Sequence, residues 1–149
     1  MKIYFPMSAD ILTGGHIKCI EWLRDYQHQK HPSIIIGLLT DKALKGYKKN
    51  VVPFKDRKYI LDVIAEGIRD RFGSHCVRVV AQDSLNPYNN LKEYKAVMLA
   101  SGDGFEPEEI KAAKKAKCQL LNIKLKGEKK SKLYSSTNIK KKICQTLKF

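Results

Sequence analysis

The feature that most constrains the fold of this chain is an alternation of short apolar runs with longer amphipathic stretches. The apolar runs are nearly continuous and have the length of strands that are buried on both faces. These predicted strands are Ile3–Met7, Ser33–Leu39, Val77–Ala81, Val97–Ala100 and Gln119–Ile123. Helical periodicity is present at about His16–Gln29, Lys55–Phe72, Pro107–Ala116 and Thr137–Leu147.

Strands that alternate with helices predict right-handed crossovers between parallel strands. The expected fold class is therefore α/β, a Rossmann-like open parallel sheet of about five strands with helices on both faces. In such sheets ligands bind at the carboxyl ends of the strands, where the strand order reverses. The 149 residues fit a single domain, 1–149, with one core.

A formal net charge of +14 indicates an anionic partner. The basic residues cluster at Lys45–Lys49, Lys124–Lys132 and Lys140–Lys142, but aromatic residues are not interleaved with them as a base-stacking surface requires. These observations favour a small polyanionic substrate over nucleic acid. An RNA-binding protein remains the alternative.

The apolar runs of the sequence are all far shorter than the roughly 20 residues that span a bilayer. The segment from Met1 to Ala9 lacks the basic start and long apolar stretch of a signal peptide. We therefore expect a cytoplasmic protein. The four cysteines are widely spaced and form no CxxC pair, which favours reduced thiols over a disulfide frame or a zinc site.

The first candidate site lies between the first predicted strand and the first predicted helix. Gly14 and Gly15 let the backbone approach an anion closely, and the helix start that follows offers unpaired N–H groups. His16, in the first turn, would then point toward a bound phosphate. The alternative is an ordinary helix entry capped by Thr13 or Asp10, with His16 exposed.

The second candidate site lies at the start of the last predicted helix. It consists of three hydroxyl side chains and one cation, Ser135, Ser136, Thr137 and Lys140. Hydroxyls at a helix N-terminus can donate to phosphate oxygens alongside the free backbone amides. The alternative is a serine N-cap followed by a basic helix face.

Taken together and in this order, the motifs resemble the HxGH nucleotidyltransferase superfamily, which includes cytidylyltransferases and adenylyltransferases. Thr13–His16 resembles the end of its first signature, and Ser135–Lys140 resembles its last. Leu44–Gly46 followed by Pro53–Arg57 is similar to the family's lysine loop and P-[FY]-x-x-R segment. Ser101–Phe105 is similar to the G-D-D-W stretch of cytidylyltransferases. The resemblance covers nearly the whole chain.

The chain also departs from the family pattern. Met7 stands where the family usually has Gly, Ala9 where it has Phe, and Lys140 where Arg is more usual. Thr13 replaces the first His, as in phosphopantetheine adenylyltransferase, and Gly104 with Phe105 replaces Asp-Trp. An adenylyltransferase that uses ATP and a nucleotide-binding module without turnover therefore remain alternatives.

The resemblance implies transfer of CMP from CTP to a small acceptor that carries a phosphate or phosphonate, with release of pyrophosphate. It implies Mg²⁺ as the cofactor, bridging phosphate oxygens with no dedicated metal-ligating residues, and a homodimer. Its implied catalytic residues are Thr13, His16 and Lys45, with Lys48 or Lys49 as substitutes, and Arg57 would bind the acceptor. Its implied nucleotide-binding residues are Ser8, Asp10, Gly15, Gly102, Asp103, Ser135, Ser136, Thr137 and Lys140.

Overall fold

A computed structural model of the chain describes residues 1–26, 32–49, 51–72 and 77–125. The strands are β1 (Lys2–Met7), β2 (Ser33–Leu39), β3 (Val77–Gln82), β4 (Met98–Ser101) and β5 (Gln119–Asn122). The helices are α1 (Gly14–Asp25), α2 (Asp41–Leu44), α3 (Phe54–Phe72), α4 (Tyr88–Glu93) and α5 (Pro107–Ala116). All strand pairs are parallel, and the sheet order is β3-β2-β1-β4-β5. The predicted α/β fold class is confirmed.

The observed strands lie within a residue of the predicted bounds, whereas the helices differ more. Helix α1 begins two residues earlier than predicted, at Gly14, because Thr13 is its N-cap. The sequence did not predict α2 and α4, which at four and six residues are too short for a periodicity to emerge. The predicted helix Thr137–Leu147 lies outside the described residues. No helix in the described part of the chain is long and apolar enough to cross a membrane.

Strand β1 has a side chain layer on each face of the sheet. Ile3, Phe5 and Met7 are buried in a core layer with residues of α1 and α3. Tyr4, on the opposite face, is buried against residues of α4 and α5. Helices therefore cover both faces, as the continuous apolar runs predicted.

A glycine in the sheet makes room for a buried hydrogen bond that crosses three strands. The Tyr4 hydroxyl on β1 reaches past Gly37 on β2 and donates to Gln82 Oε1 on β3, at 2.7 Å. A Cβ on Gly37 would lie 2.0 Å from Tyr4 Oη and 2.7 Å from Gln82 Oε1. Burial raises the pKa of Tyr4, so its hydroxyl stays a neutral donor. Gly37 thereby allows a fixed polar contact at the end of β3.

We predict that Gly37→Ala lowers the free energy of unfolding by about 1–3 kcal/mol, because the added methyl overpacks the buried Tyr4–Gln82 contact. Gly67→Ala is the matched control: it lies in α3, and an added Cβ there meets nothing within 4 Å. Alanine is the better helix former, so the control should be stabilised by about 0.5–1 kcal/mol. Urea unfolding of both variants measures the difference, and equal stabilities would contradict the packing of Tyr4 over Gly37.

Candidate active site

A cavity of about 760 Å³ opens at the carboxyl end of the sheet, where β1 and β4 lie side by side. Strand order reverses at this pair, which is where open α/β sheets bind ligands. The volume falls in the range of about 300–1,000 Å³ that is usual for small-molecule sites. Its lining includes the end of β1, the start of α1, the end of β3 and the segment that follows β4: Phe5–Ser8, Thr13, Gly15, His16, Cys19, Gln82 and Ser101–Gly104.

The loop between β1 and α1 sets the protonation of His16. The backbone N–H of Thr13 donates to His16 Nδ1 at 3.0 Å, and Thr13 Oγ1 lies 3.0 Å from the same nitrogen. A backbone N–H can only donate, so Nδ1 must be unprotonated and the ring proton lies on Nε2. This contact is one of the two hydrogen bonds of a capping box, the one in which the N3 side chain accepts from the N-cap backbone N–H. His16 stands here in the place of the usual Glu or Gln. Thr13 and His16 are therefore one unit that presents a neutral N–H donor.

Electrostatics keep this imidazole neutral. Burial is the main cause that lowers the pKa of His16, and the nearby charge of Lys48 lowers it further. Asp103 acts in the opposite direction with a smaller effect. His16 is thus a donor through Nε2 at neutral pH without carrying a charge.

Lys48 is the lysine that lines this cavity in the described part of the lysine loop, residues 45–52. Its Nζ donates to Ser8 Oγ at 2.9 Å, at the end of β1. Lys45 is exposed at the end of α2 and does not line the cavity. Gly46, with a φ of 82°, lies between the two and turns the chain. The geometry thus favours Lys48, which the sequence analysis named as a substitute for Lys45.

The segment after β4 forms a tight turn beside α1. Gly102 lies so close to the helix that an added Cβ would be 3.1 Å from Cys19 Sγ. Ser101 Oγ donates to the carbonyl of Gly104, whose φ of 94° favours glycine. Asp103 is exposed on the cavity wall and acts electrostatically on His16. Gly102 and Asp103 therefore lie at the same cavity as the β1–α1 loop, as the motifs suggested.

Arg57 and Asp10 occupy positions that their motifs did not suggest. Arg57 is only 1% exposed, and its guanidinium donates to three backbone carbonyls and to Asp41. Asp10 is 4% exposed, and its Oδ1 accepts from the backbone N–H of Val52 at 2.9 Å. Neither side chain lines the cavity. The predicted phosphate-binding segment, with Ser135, Ser136, Thr137 and Lys140, lies outside the described residues.

The sequence analysis did not name Gln82 as a site residue, and it named Lys48 only as a substitute for Lys45. Gln82 is 1% exposed and lies at the cavity end of β3, where its Nε2 donates to the Ser84 carbonyl at 2.7 Å. A polar residue directly after a buried apolar run, at the carboxyl end of a strand, was the available signal. For Lys48 the signal was Gly46, which changes the direction of the loop before it.

A comparison with solved structures finds a protein of the same fold. The chain is similar in structure to a protein of unknown function from Archaeoglobus fulgidus, with 20% identity, a TM-score of 0.54 and coverage of 83% of this chain and 90% of that one. It also matches the hypothetical protein PH0823, with 17% identity, a TM-score of 0.49 and coverage of 85% and 97%. No curated protein matches the chain significantly.

The motifs that suggested a nucleotidyltransferase lie within the part of the chain that a family model matches. The sequence model of the cytidylyltransferase-like family matches residues 4–142, which is nearly the whole chain. The match includes the β1–α1 loop, the lysine loop, the turn after β4 and the C-terminal Ser-Ser-Thr segment. This protein belongs to the cytidylyltransferase-like family of nucleotidyltransferases.

Proposed function

We propose that this protein transfers CMP from CTP to a small acceptor that carries a phosphate or a phosphonate. An anionic acceptor oxygen attacks the α-phosphorus in line and forms the new P–O bond. The bond from the α-phosphorus to the bridging oxygen breaks, and pyrophosphate leaves with the electron pair. The observation that carries the proposal is the neutral His16, held by Thr13 in the first turn of α1 with Lys48 beside it.

The acceptor oxygen is already a nucleophile, so the reaction needs positioned donors and cations more than it needs a base. His16 Nε2–H donates to an α-phosphate oxygen as negative charge accumulates there. The amino end of α1, a helix of 12 residues, adds unpaired backbone N–H groups. A neutral imidazole suits this role because it can sit beside Lys48 without charge repulsion.

Lys48 neutralises charge on the phosphate chain in this proposal. Its ammonium group already lies on the cavity wall, 2.9 Å from Ser8 Oγ. From the family resemblance, Ser135, Ser136 and Thr137 hold the β- and γ-phosphates and Lys140 supports them. Together with α1 they would complete the binding site for the triphosphate.

Mg²⁺ enters this proposal as part of the substrate. The described residues contain no group of three or more His, Cys, Asp or Glu side chains placed to hold a metal ion. An ion that arrives on the triphosphate keeps several water molecules and needs few protein ligands. Lys48 and the neutral His16 line the cavity, and with the backbone amides at the start of α1 they are donors that suit such a magnesium–nucleotide complex.

The base preference rests on the segment after β4. Its sequence is similar to the stretch that lies beside the pyrimidine in cytidylyltransferases, and in the fold it lines the cavity next to α1. Thr13 favours the alternative, ATP, because the adenylyltransferase branch has Thr at this position. The acceptor candidates are aminoethylphosphonate-like, polyol-phosphate and choline-phosphate compounds.

A thermal-shift panel of CTP, ATP, GTP and UTP with Mg²⁺ tests the nucleotide. We expect the largest rise in melting temperature with CTP, and a rise with ATP alone would overturn the choice of base.

Pyrophosphate release with each acceptor class then tests turnover. His16→Ala should keep the shift and lower kcat about 10²–10³-fold, because the donor acts mainly in the transition state. Nucleotide binding without release would indicate a module that has lost turnover.

Lys48→Ala and Lys45→Ala form a matched pair within the lysine loop. We expect Lys48→Ala to lower kcat about 10- to 100-fold, the equivalent of one charge-assisted hydrogen bond. Lys45→Ala should change kcat less than about twofold, because Lys45 is exposed and lies outside the cavity. Steady-state pyrophosphate release measures both. The opposite ranking would give the role to Lys45, as the motif first suggested.

The lowered pKa of His16 makes stability depend on pH. Below the ordinary histidine pKa of about 6.5, the unfolded chain binds a proton that the folded chain does not yet bind. His16 therefore contributes a loss of stability as pH falls from about 7.5 to about 5.5. His16→Gln, whose amide can accept the same bond from Thr13, should show a smaller loss in urea unfolding at these two pH values. An identical loss in parent and variant would contradict the lowered pKa.

A further inference from the structure

One residue of the lysine loop, Val52, is held through both of its backbone polar groups. The backbone N–H of Val52 donates to Asp10 Oδ1 at 2.9 Å, and its carbonyl accepts from Arg57 Nε at 2.7 Å. Val52 is 37% exposed, and the hydrogen bonds that hold it are made by its backbone. Val52 lies where the lysine loop returns to the fold, just before α3. Its two hydrogen bonds therefore fix the end of the loop.

The same guanidinium joins that loop to two strand ends. Arg57 Nη1 donates to the carbonyls of Ser8 and Leu39, both at 2.7 Å. Arg57 Nη2 forms an ion pair with Asp41 Oδ1, also at 2.7 Å. A fully buried cation is tolerated only when its hydrogen bonds are satisfied, and here the ends of β1 and β2 satisfy them. A role in ligand binding would require free N–H donors on the guanidinium. In this structure Arg57 uses its donors to bind the polypeptide itself.

Ser8 connects this arrangement to the reacting centre. Its carbonyl accepts from Arg57, and its hydroxyl accepts from Lys48 Nζ at 2.9 Å. Asp10, two residues later, accepts from Val52. The β1–α1 loop thus holds the lysine loop at Lys48 and again at Val52. The same β1–α1 loop ends at Thr13, which holds His16.

We propose that Asp10 and Arg57 form a loop clamp that positions Lys48 beside His16, and that neither residue binds substrate. They are positioning residues: they act on the reaction through the backbone N–H and carbonyl of Val52, which fix the end of the lysine loop. The catalytic meaning of this clamp rests on the proposed function. The placement of Lys48 beside His16 does not, because it is a property of the protein without ligands.

The titration of His16 reports where Lys48 lies. Within the described ranges, Lys48 and Asp103 are the charged side chains that act on this imidazole, and Lys48 lowers its pKa. NMR titration of His16 in the ligand-free protein should therefore give a higher midpoint in Lys48→Ala. If the clamp holds Lys48 in place, Arg57→Lys and Asp10→Ala should raise the midpoint in the same direction. Loss of the Asp10 charge by itself would act in the opposite direction, so the sign separates the two causes.

Two controls separate positioning from general disturbance. Asp10→Asn keeps an oxygen that accepts from Val52 but loses the charge, so its midpoint should not rise above that of the parent. Arg69→Lys makes the same change in α3 at a partly exposed arginine, whose Nη2 lies 3.9 Å from Glu66, and should have no effect. The double variant Arg57→Lys with Lys48→Ala should titrate like Lys48→Ala alone, because the clamp then has no lysine to place.

Kinetics provide the second measurement. With the preferred nucleotide and acceptor, Arg57→Lys should lower kcat about 10- to 100-fold through misplacement of Lys48, while the acceptor KM changes less than about twofold. A higher acceptor KM with unchanged kcat would overturn the proposal and make Arg57 an acceptor-binding residue.

The titration also keeps the two proposals distinguishable. If no nucleotide supports turnover, the proposed function fails, and a raised His16 midpoint still supports the clamp. If Arg57→Lys does not fold, the comparison of Asp10→Ala with Asp10→Asn decides. An unchanged midpoint in Asp10→Ala overturns the clamp, whether or not the protein is an enzyme.

Discussion

The central position of β1 is the constraint on which the rest of this structure depends. β1 pairs with β2 on one side and with β4 on the other, so its carboxyl end lies where the strand order reverses. Its side chains alternate between the two core layers, which fixes the register of the whole sheet. The loop that follows β1 therefore lies over the crevice beside β4. Both Thr13 and His16 take their positions from that path.

The cavity places a neutral donor and a cation side by side. Two positive charges in this cavity would repel each other before any phosphate arrived, and burial adds a desolvation cost for each. The Thr13 N–H removes this problem, because it occupies the nitrogen that a second proton would need. His16 can then act as a donor without charge, and Lys48 supplies the charge.

Arg57 illustrates how one residue type can serve two roles with the same chemistry. A guanidinium suits a phosphate because its donors form a planar fork, and the same fork suits converging backbone carbonyls. In this chain the ends of β1 and β2 and the peptide of Val52 converge on one point and receive the donors. A motif cannot tell these roles apart, because both require Arg at the same position of the helix.

The sequence by itself determined the fold class, the strands to within a residue and the family. The periodicity of apolar residues and the order of motifs along the chain do not depend on which distant residues meet in the folded protein. It also determined that Thr13, His16, Gly102 and Asp103 follow strand ends, which brings them to one edge of a parallel sheet. Tertiary structure decided which lysine reaches the cavity, and it turned Arg57 and Asp10 inward. Those choices depend on the path of a loop and on which buried carbonyls need a donor, and neither is visible until distant strand ends meet.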